Sequence, residues 1–152
     1  MPTLIHLIYA STALEHFGTE QLTDLLRQSR EANERVNLTG MLLFSDGNFF
    51  QVLEGEPAAV DKLYEKLQQD KRHVQVTLIV KEAIASRSFG DWSMGFSSIS
   101  PEQLETVEGL NDFFSAGSCF AQLDTGRAKK LLAAFASGRW RASLMGPTRP
   151  GA

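Results

Sequence analysis

The stretch LTGMLLFSDGNFFQVLEG, residues 38–55, holds two apolar runs on either side of an Asp-Gly pair. Asp-Gly between such runs is a strong hairpin signal, because the tight turn needs backbone that glycine adopts without steric cost. Residues 38–44 and 48–54 therefore read as antiparallel strands joined by Ser45-Asp46-Gly47-Asn48. Side chains alternate along a strand, so Phe49, Gln51 and Leu53 share one face and Phe50 and Val52 the other. Gln51 is the anomaly. It brings a carboxamide, with two donors and an acceptor oxygen, into a strand otherwise built for burial.

Upstream, residues 4–11 (LIHLIYAS) read as an aliphatic strand with Leu7, Tyr9 and Ser11 on one face and His6, Ile8 and Ala10 on the other. Thr19 is a good N-cap for a helix over residues 20–33, and Glu20 and Asp24 suit its positive end. Leu22, Leu25, Leu26, Ser29 and Asn33 fall on one stripe of that helix, and its last two members are polar. Downstream, a second helix starts near Pro57, presents Val60, Leu63, Tyr64 and Leu67, and ends near Asp70. Residues 74–84 predict a fourth strand and residues 92–99 a fifth. Ser100-Pro101-Glu102-Gln103 signals a further helix, with Leu104, Val107, Leu110 and Phe114 as its stripe. A last helix over residues 124–137 should turn Ala128, Leu131, Leu132 and Phe135 inward.

The order β-α-β-β-α-β is the ferredoxin-like, or split βαβ, arrangement of the α+β class. Right-handed crossovers make strands one and three neighbours and put both main helices on one sheet face. A fifth strand extends the sheet, and two C-terminal helices are the natural cover for its other face. The expected division is a core domain over residues 1–99, a helical cap or output segment over 100–138 and a flexible tail over 139–152.

Composition narrows the function. A net charge of −3 and a pI near 5.6 give no concentrated basic face for nucleic acid. After Gly138 the only charged side chains are Arg139, Arg141 and Arg149, which fits a solvated end. The single cysteine, Cys119, forbids an intrachain disulfide, the N-terminus lacks a signal-peptide pattern, and no apolar run is long enough to cross a bilayer. A cytoplasmic protein without membrane association is the expectation. His6, His16 and His73 have no companions at ligand spacing, so no metal site is readable. There is no dinucleotide fingerprint, phosphate loop or nucleophile elbow. A hydrolase on this frame would need an Arg-plus-Asn cradle after strand one, and that loop, STALEHFG, has neither.

What remains is a set of polar groups where apolar ones belong: Tyr9, Ser29, Asn33 and Gln51. A buried amide without a partner costs about 1–3 kcal/mol, so these groups satisfy one another or a planar, heteroatom-rich ligand over the sheet.

On these residues the chain resembles the BLUF family, blue-light sensors using FAD. The resemblance is carried by LIYAS with Tyr9, SREAN with Ser29 and Asn33, NLTGMLLF, FFQVLEGE with Gln51, DKRH with Asp70 and Arg72, and FGDWSM with Trp92 and Met94. Asn37 and Leu38 stand where many relatives have Gly-Ile before Thr-Gly. The resemblance implies a flavin between the two main helices, as FAD, with FMN or riboflavin tolerated. Asn33 would bond the polar edge of the ring near C4=O, and Arg72 would approach C2=O with Asp70 nearby. Ser29 would line the pocket, and Leu25 and Leu67 would form apolar walls. Tyr9 would be electron and proton donor and Gln51 the relay, leaving a red-shifted, reversible signalling state. Trp92 and Met94, on one face of the fifth strand, would carry the change outward. No substrate is turned over. The output would reach an unidentified partner protein, and homo-oligomerisation is expected. A flavin electron carrier and a cofactor-free interaction module are the competing readings on the same fold.

Overall fold

The structure is a computed structural model and describes residues 3–13, 19–45, 47–69, 73–90, 94–98 and 123–136. The elements in chain order are β1 (Leu4–Ala13), α1 (Thr19–Arg35), β2 (Thr39–Ser45), β3 (Asn48–Gly55), α2 (Pro57–Gln68), β4 (His73–Ile84), β5 (Gly95–Ser98) and α3 (Thr125–Ala136). The helix expected around residues 104–114 lies outside the described residues, as do Asp70, Arg72 and Trp92.

The sheet order is β4-β1-β3-β2-β5. β1 pairs antiparallel with both β3 and β4, and β2 pairs antiparallel with β3. These four strands form the ferredoxin-like sheet, and β5 adds to β2 in parallel. The hairpin closes as its sequence demands: Ser45 faces Asn48, leaving two residues in the turn, and Gly47 adopts φ 79°.

The end of α1 explains why Asn-Leu can stand where Gly-Ile is usual. Asn37 takes φ 55°, a left-handed conformation that asparagine tolerates better than other side-chain-bearing residues. The Leu38 N–H then donates to the Asn33 carbonyl at 2.9 Å and the Asn37 N–H to that of Glu34 at 3.5 Å. This is the Schellman arrangement, and it satisfies two of the carbonyls left open at the helix end.

The sheet separates two cores. On one face Leu7, Tyr9, Leu42, Phe49 and Leu53 pack with Leu26 of α1 and Val60 of α2. On the other, Ile8, Ala10, Met41, Leu43, Phe50, Val52 and Val80 pack with Ala128, Leu131 and Leu132 of α3. Each fully buried side chain of this size contributes roughly 1.5–3 kcal/mol, so both layers are needed. Helix α3 starts on Asp124, whose Oδ1 accepts the Arg127 N–H at 2.8 Å.

One boundary differs in a way that matters. The fifth strand was expected over residues 92–99 with Met94 inside it, but β5 begins at Gly95, opposite Met41. The Met94 carbonyl, just before the strand, accepts a hydrogen bond from the Arg30 side chain of α1.

Helix α3 is also tied to the sheet by charge. Lys129 Nζ lies 2.7 Å from Glu82 Oε1, and His6 Nε2 lies 2.9 Å from the same oxygen. Lys129, then His6, hold the Glu82 carboxyl below its ordinary value of 4.5. A depressed folded-state value stabilises the protein above the unfolded value, and the gain is lost as pH falls through the folded one. The pair is substantially solvent-exposed, so the effect is small. Glu82→Gln should lower the thermal midpoint slightly at neutral pH. That difference should shrink as pH drops below 4.5 and vanish once the wild-type carboxyl is protonated, as a pH series of thermal melts would show.

Candidate functional site

The site is built on adjacent strands. β1 and β3 pair so that Tyr9 stands directly opposite Gln51, and both side chains point into the layer beneath α1 and α2. Gln51 is only 5% exposed. Its Oε1 accepts a hydrogen bond from the Tyr9 hydroxyl, and its Nε2 donates to the Met94 thioether at 3.3 Å. Both ends of the amide are thus engaged, one by a strong donor and one by a weak, polarizable acceptor. The Tyr9 ring also meets Tyr64 of α2, with centroids 5.6 Å apart and planes tilted by 55°. Burial raises the Tyr64 hydroxyl above its ordinary value of 10.0.

Helix α1 supplies the opposite wall. Asn33 is 1% exposed, although α1 is otherwise polar toward its C-terminus. Ser29 and Leu25 are half-buried on the same helix, and Leu67 of α2 is half-buried. Leu25 and Leu67 pack against the core layer that contains Tyr9 and Met94. Of the ten residues expected to act in this site, seven are therefore described: Tyr9, Leu25, Ser29, Asn33, Gln51, Leu67 and Met94. The expectation for Trp92, and for its sharing a face with Met94, falls outside the described residues, as do those for Asp70 and Arg72.

Two residues escaped the sequence reading. Arg30 is only 8% exposed, and its Nε donates to the Met94 carbonyl at 2.9 Å. Burial alone pushes this guanidinium below its ordinary value. The signal was present: Arg30 lies four residues after Leu26 and three before Asn33, on the buried stripe. Glu54, the charged last residue of its expected strand, is 0% exposed. Its Oε1 accepts from the Thr39 hydroxyl at 2.9 Å and the Phe89 N–H at 3.0 Å, and its Oε2 from the Ser88 N–H at 2.6 Å. Arg87 Nη1 adds bonds to Thr39 Oγ1 at 2.8 Å and to the Glu54 carbonyl at 3.1 Å. Glu54 thereby pins the start of the segment that leads from β4 to Met94.

Among the described residues no cluster of His, Cys, Asp and Glu could hold a metal ion, and no helix is long and apolar enough to cross a membrane. The site instead offers buried amide donors and acceptors, the phenols of Tyr9 and Tyr64, and apolar walls.

Comparison with known proteins gives this arrangement a context. Residues 4–95 match the family described as sensors of blue-light using FAD. The photoactivated adenylate cyclase subunit alpha of Euglena gracilis is 37% identical over 80% of this chain, which spans 12% of that protein. The blue light- and temperature-regulated antirepressor BluF of Escherichia coli K12 is 28% identical over 79% of this chain and 29% of its own length. This chain therefore spans less than a third of either relative. The structure of BlsA in its photo-activated state superposes with a TM-score of 0.80 at 26% identity, covering 96% of this chain and 99% of that one.

The Glu54 contacts carry their own test. Glu54→Gln keeps the shape but turns an amide donor toward donors, so a buried N–H or hydroxyl loses its acceptor. Urea unfolding should show a loss of about 1–3 kcal/mol. A change within a few tenths would mean that these bonds are dispensable.

Proposed function

This chain belongs to the BLUF family, sensors of blue-light using FAD, and on that premise we propose that it is a flavin-binding blue-light photoreceptor whose switch is the Tyr9–Gln51 pair. The observation that carries the reading is the Gln51 amide, buried between a phenol and a thioether. Any buried glutamine needs a partner at each end, but here the donor to its oxygen is a phenol that can release a proton and the acceptor of its nitrogen is weak enough to be given up.

The chain's residues suit the cofactor. Asn33 and Gln51 are buried carboxamides, each able to donate and accept, which matches a ring rimmed by carbonyl and N–H groups. Leu25 and Leu67 provide apolar cover, and Ser29 adds a hydroxyl at the pocket wall. Arg72 and Asp70 complete the proposed binding set by family resemblance. FAD is the proposed form, with FMN or riboflavin tolerated.

When bound, the flavin supplies the absorption of blue light and a strong photo-oxidant. Tyr9 then serves as donor: its phenol gives an electron, and its proton moves along the existing bond to Gln51 Oε1. Gln51 can take a proton at its oxygen while giving one from its nitrogen, which a carboxylate cannot do. Return of the electron together with a proton would restore the Tyr9 phenol and leave the Gln51 amide rotated or tautomerised. Its bond to Met94 is the one it gives up most readily, because a thioether holds an amide weakly. Met94, with Trp92, relays that change, and no substrate is consumed.

We propose residues 1–99 as the sensing domain and residues 100–138 as the output segment. Phe50 and Val52 flank Gln51 on β3 and pack in the core layer that contains α3, so a shift in β3 has a short route to that helix. The recipient is a separate protein, and self-association accompanies it.

Absorption spectra before and after blue light test the reading. Purified wild type should be yellow and show a reversible red shift. Tyr9→Phe keeps the ring and Gln51→Leu is nearly isosteric, so both should hold flavin and lose the shift entirely. A normal shift in either variant overturns the switch. Photoreduction without a reversible shift would favour an electron carrier, and colourless protein an interaction module.

A further inference from the structure

Helix α1 contributes more than the wall of a pocket. Arg30 reaches from α1 to the Met94 carbonyl, with Nε 2.9 Å away, in a site that excludes solvent. Met94 lies just before β5, where the chain joins the sheet opposite Met41. Its thioether accepts from Gln51 Nε2, and Gln51 Oε1 accepts from Tyr9. Four residues from α1, the segment before β5, β3 and β1 thus form one continuous chain of contacts, which passes from backbone to side chain at Met94.

A thioether is a poor acceptor and holds no side chain in place by itself. Methionine is unbranched and adapts to its surroundings, so the Gln51 amide cannot be what locks Met94. A charge-assisted bond from a guanidinium to a backbone carbonyl is the stronger constraint, and a planar donor fixes direction as well as distance. Burying a guanidinium is costly, and a surface helix has many cheaper residues to place at that position. We infer that Arg30 is the positioning residue that fixes Met94 as the partner of the Gln51 amide, and so sets the resting orientation of the switch from α1. Arg30 touches the backbone and not the side chain of Met94, so it holds the segment whatever residue stands there. What depends on methionine is only the final contact to Gln51.

The effect on light response rests on the photoreceptor reading; the effect on Met94 does not. In full-length protein kept dark, with 13C-methyl methionine and with or without added FAD, Arg30→Gln should move the Met94 methyl resonance. Met94→Leu assigns that signal by deleting it. In illuminated holoprotein, Arg30→Gln should change the dark-recovery rate by roughly threefold or more. The same substitution in a Met94→Leu background should change it little, because coupled residues are non-additive. A residue that merely supported the fold would alter recovery equally in both backgrounds, and that result overturns the inference. So does an unmoved Met94 resonance. If Arg30→Gln fails to fold, wild type labelled with 15N-arginine and 13C-carbonyl methionine decides: a scalar coupling from Arg30 Nε to the Met94 carbonyl supports the inference, and its absence overturns it. A wild type without any light response removes the photoreceptor reading but leaves the dark measurements to judge Arg30.

Discussion

The constraint on which the structure turns is the satisfaction of one amide in an apolar layer. Gln51 cannot be buried beside Phe49 and Leu53 unless both of its ends find partners. Three other elements meet that demand. β1 lies next to β3 and brings the Tyr9 hydroxyl to the oxygen. The segment before β5 brings the Met94 sulfur to the nitrogen. α1 holds that segment by its carbonyl. The ferredoxin-like crossover matters here because it places a first strand and a third strand side by side, which a simple meander would not do.

The reverse face has a polar centre of its own. Glu54 follows Gln51 on the same strand with opposite parity, and it is buried among N–H and hydroxyl donors from β2 and from the chain after β4. That chain continues through Phe89, which packs in the layer that contains α3, to Met94, which packs in the layer beneath α1. The described residues after β4 thus meet the Glu54 carboxylate at Ser88 and Phe89, and Met94 meets the Gln51 amide through its thioether.

Much of this was readable from residues alone. Alternation in NFFQVLE assigned Phe49, Gln51 and Leu53 to one core and Phe50 and Val52 to the other, because a strand has period two whatever surrounds it. The Asp-Gly turn, Pro57 at the start of α2 and Asp124 before α3 are local signals, and local chemistry decides them. Arg30 and Glu54 were not readable in the same way. Both are charged, and charge predicts exposure unless partners are known. Their partners lie at Met94 and at Ser88 and Phe89, far along the sequence, so only the fold brings them together. The start of β5 at Gly95 was likewise out of reach of local pattern, which cannot show that Met94 bonds to a side chain of α1.

The central claim is that the Gln51 amide changes its bonding on illumination and keeps the change after the electron has returned. Light-minus-dark infrared difference spectroscopy on protein with 13C-labelled glutamine carboxamides addresses it directly. The expected result is a side-chain amide band that shifts with the label, persists for the lifetime of the red-shifted state and is missing from Gln51→Leu. A red-shifted state with no label-sensitive glutamine band would contradict the claim.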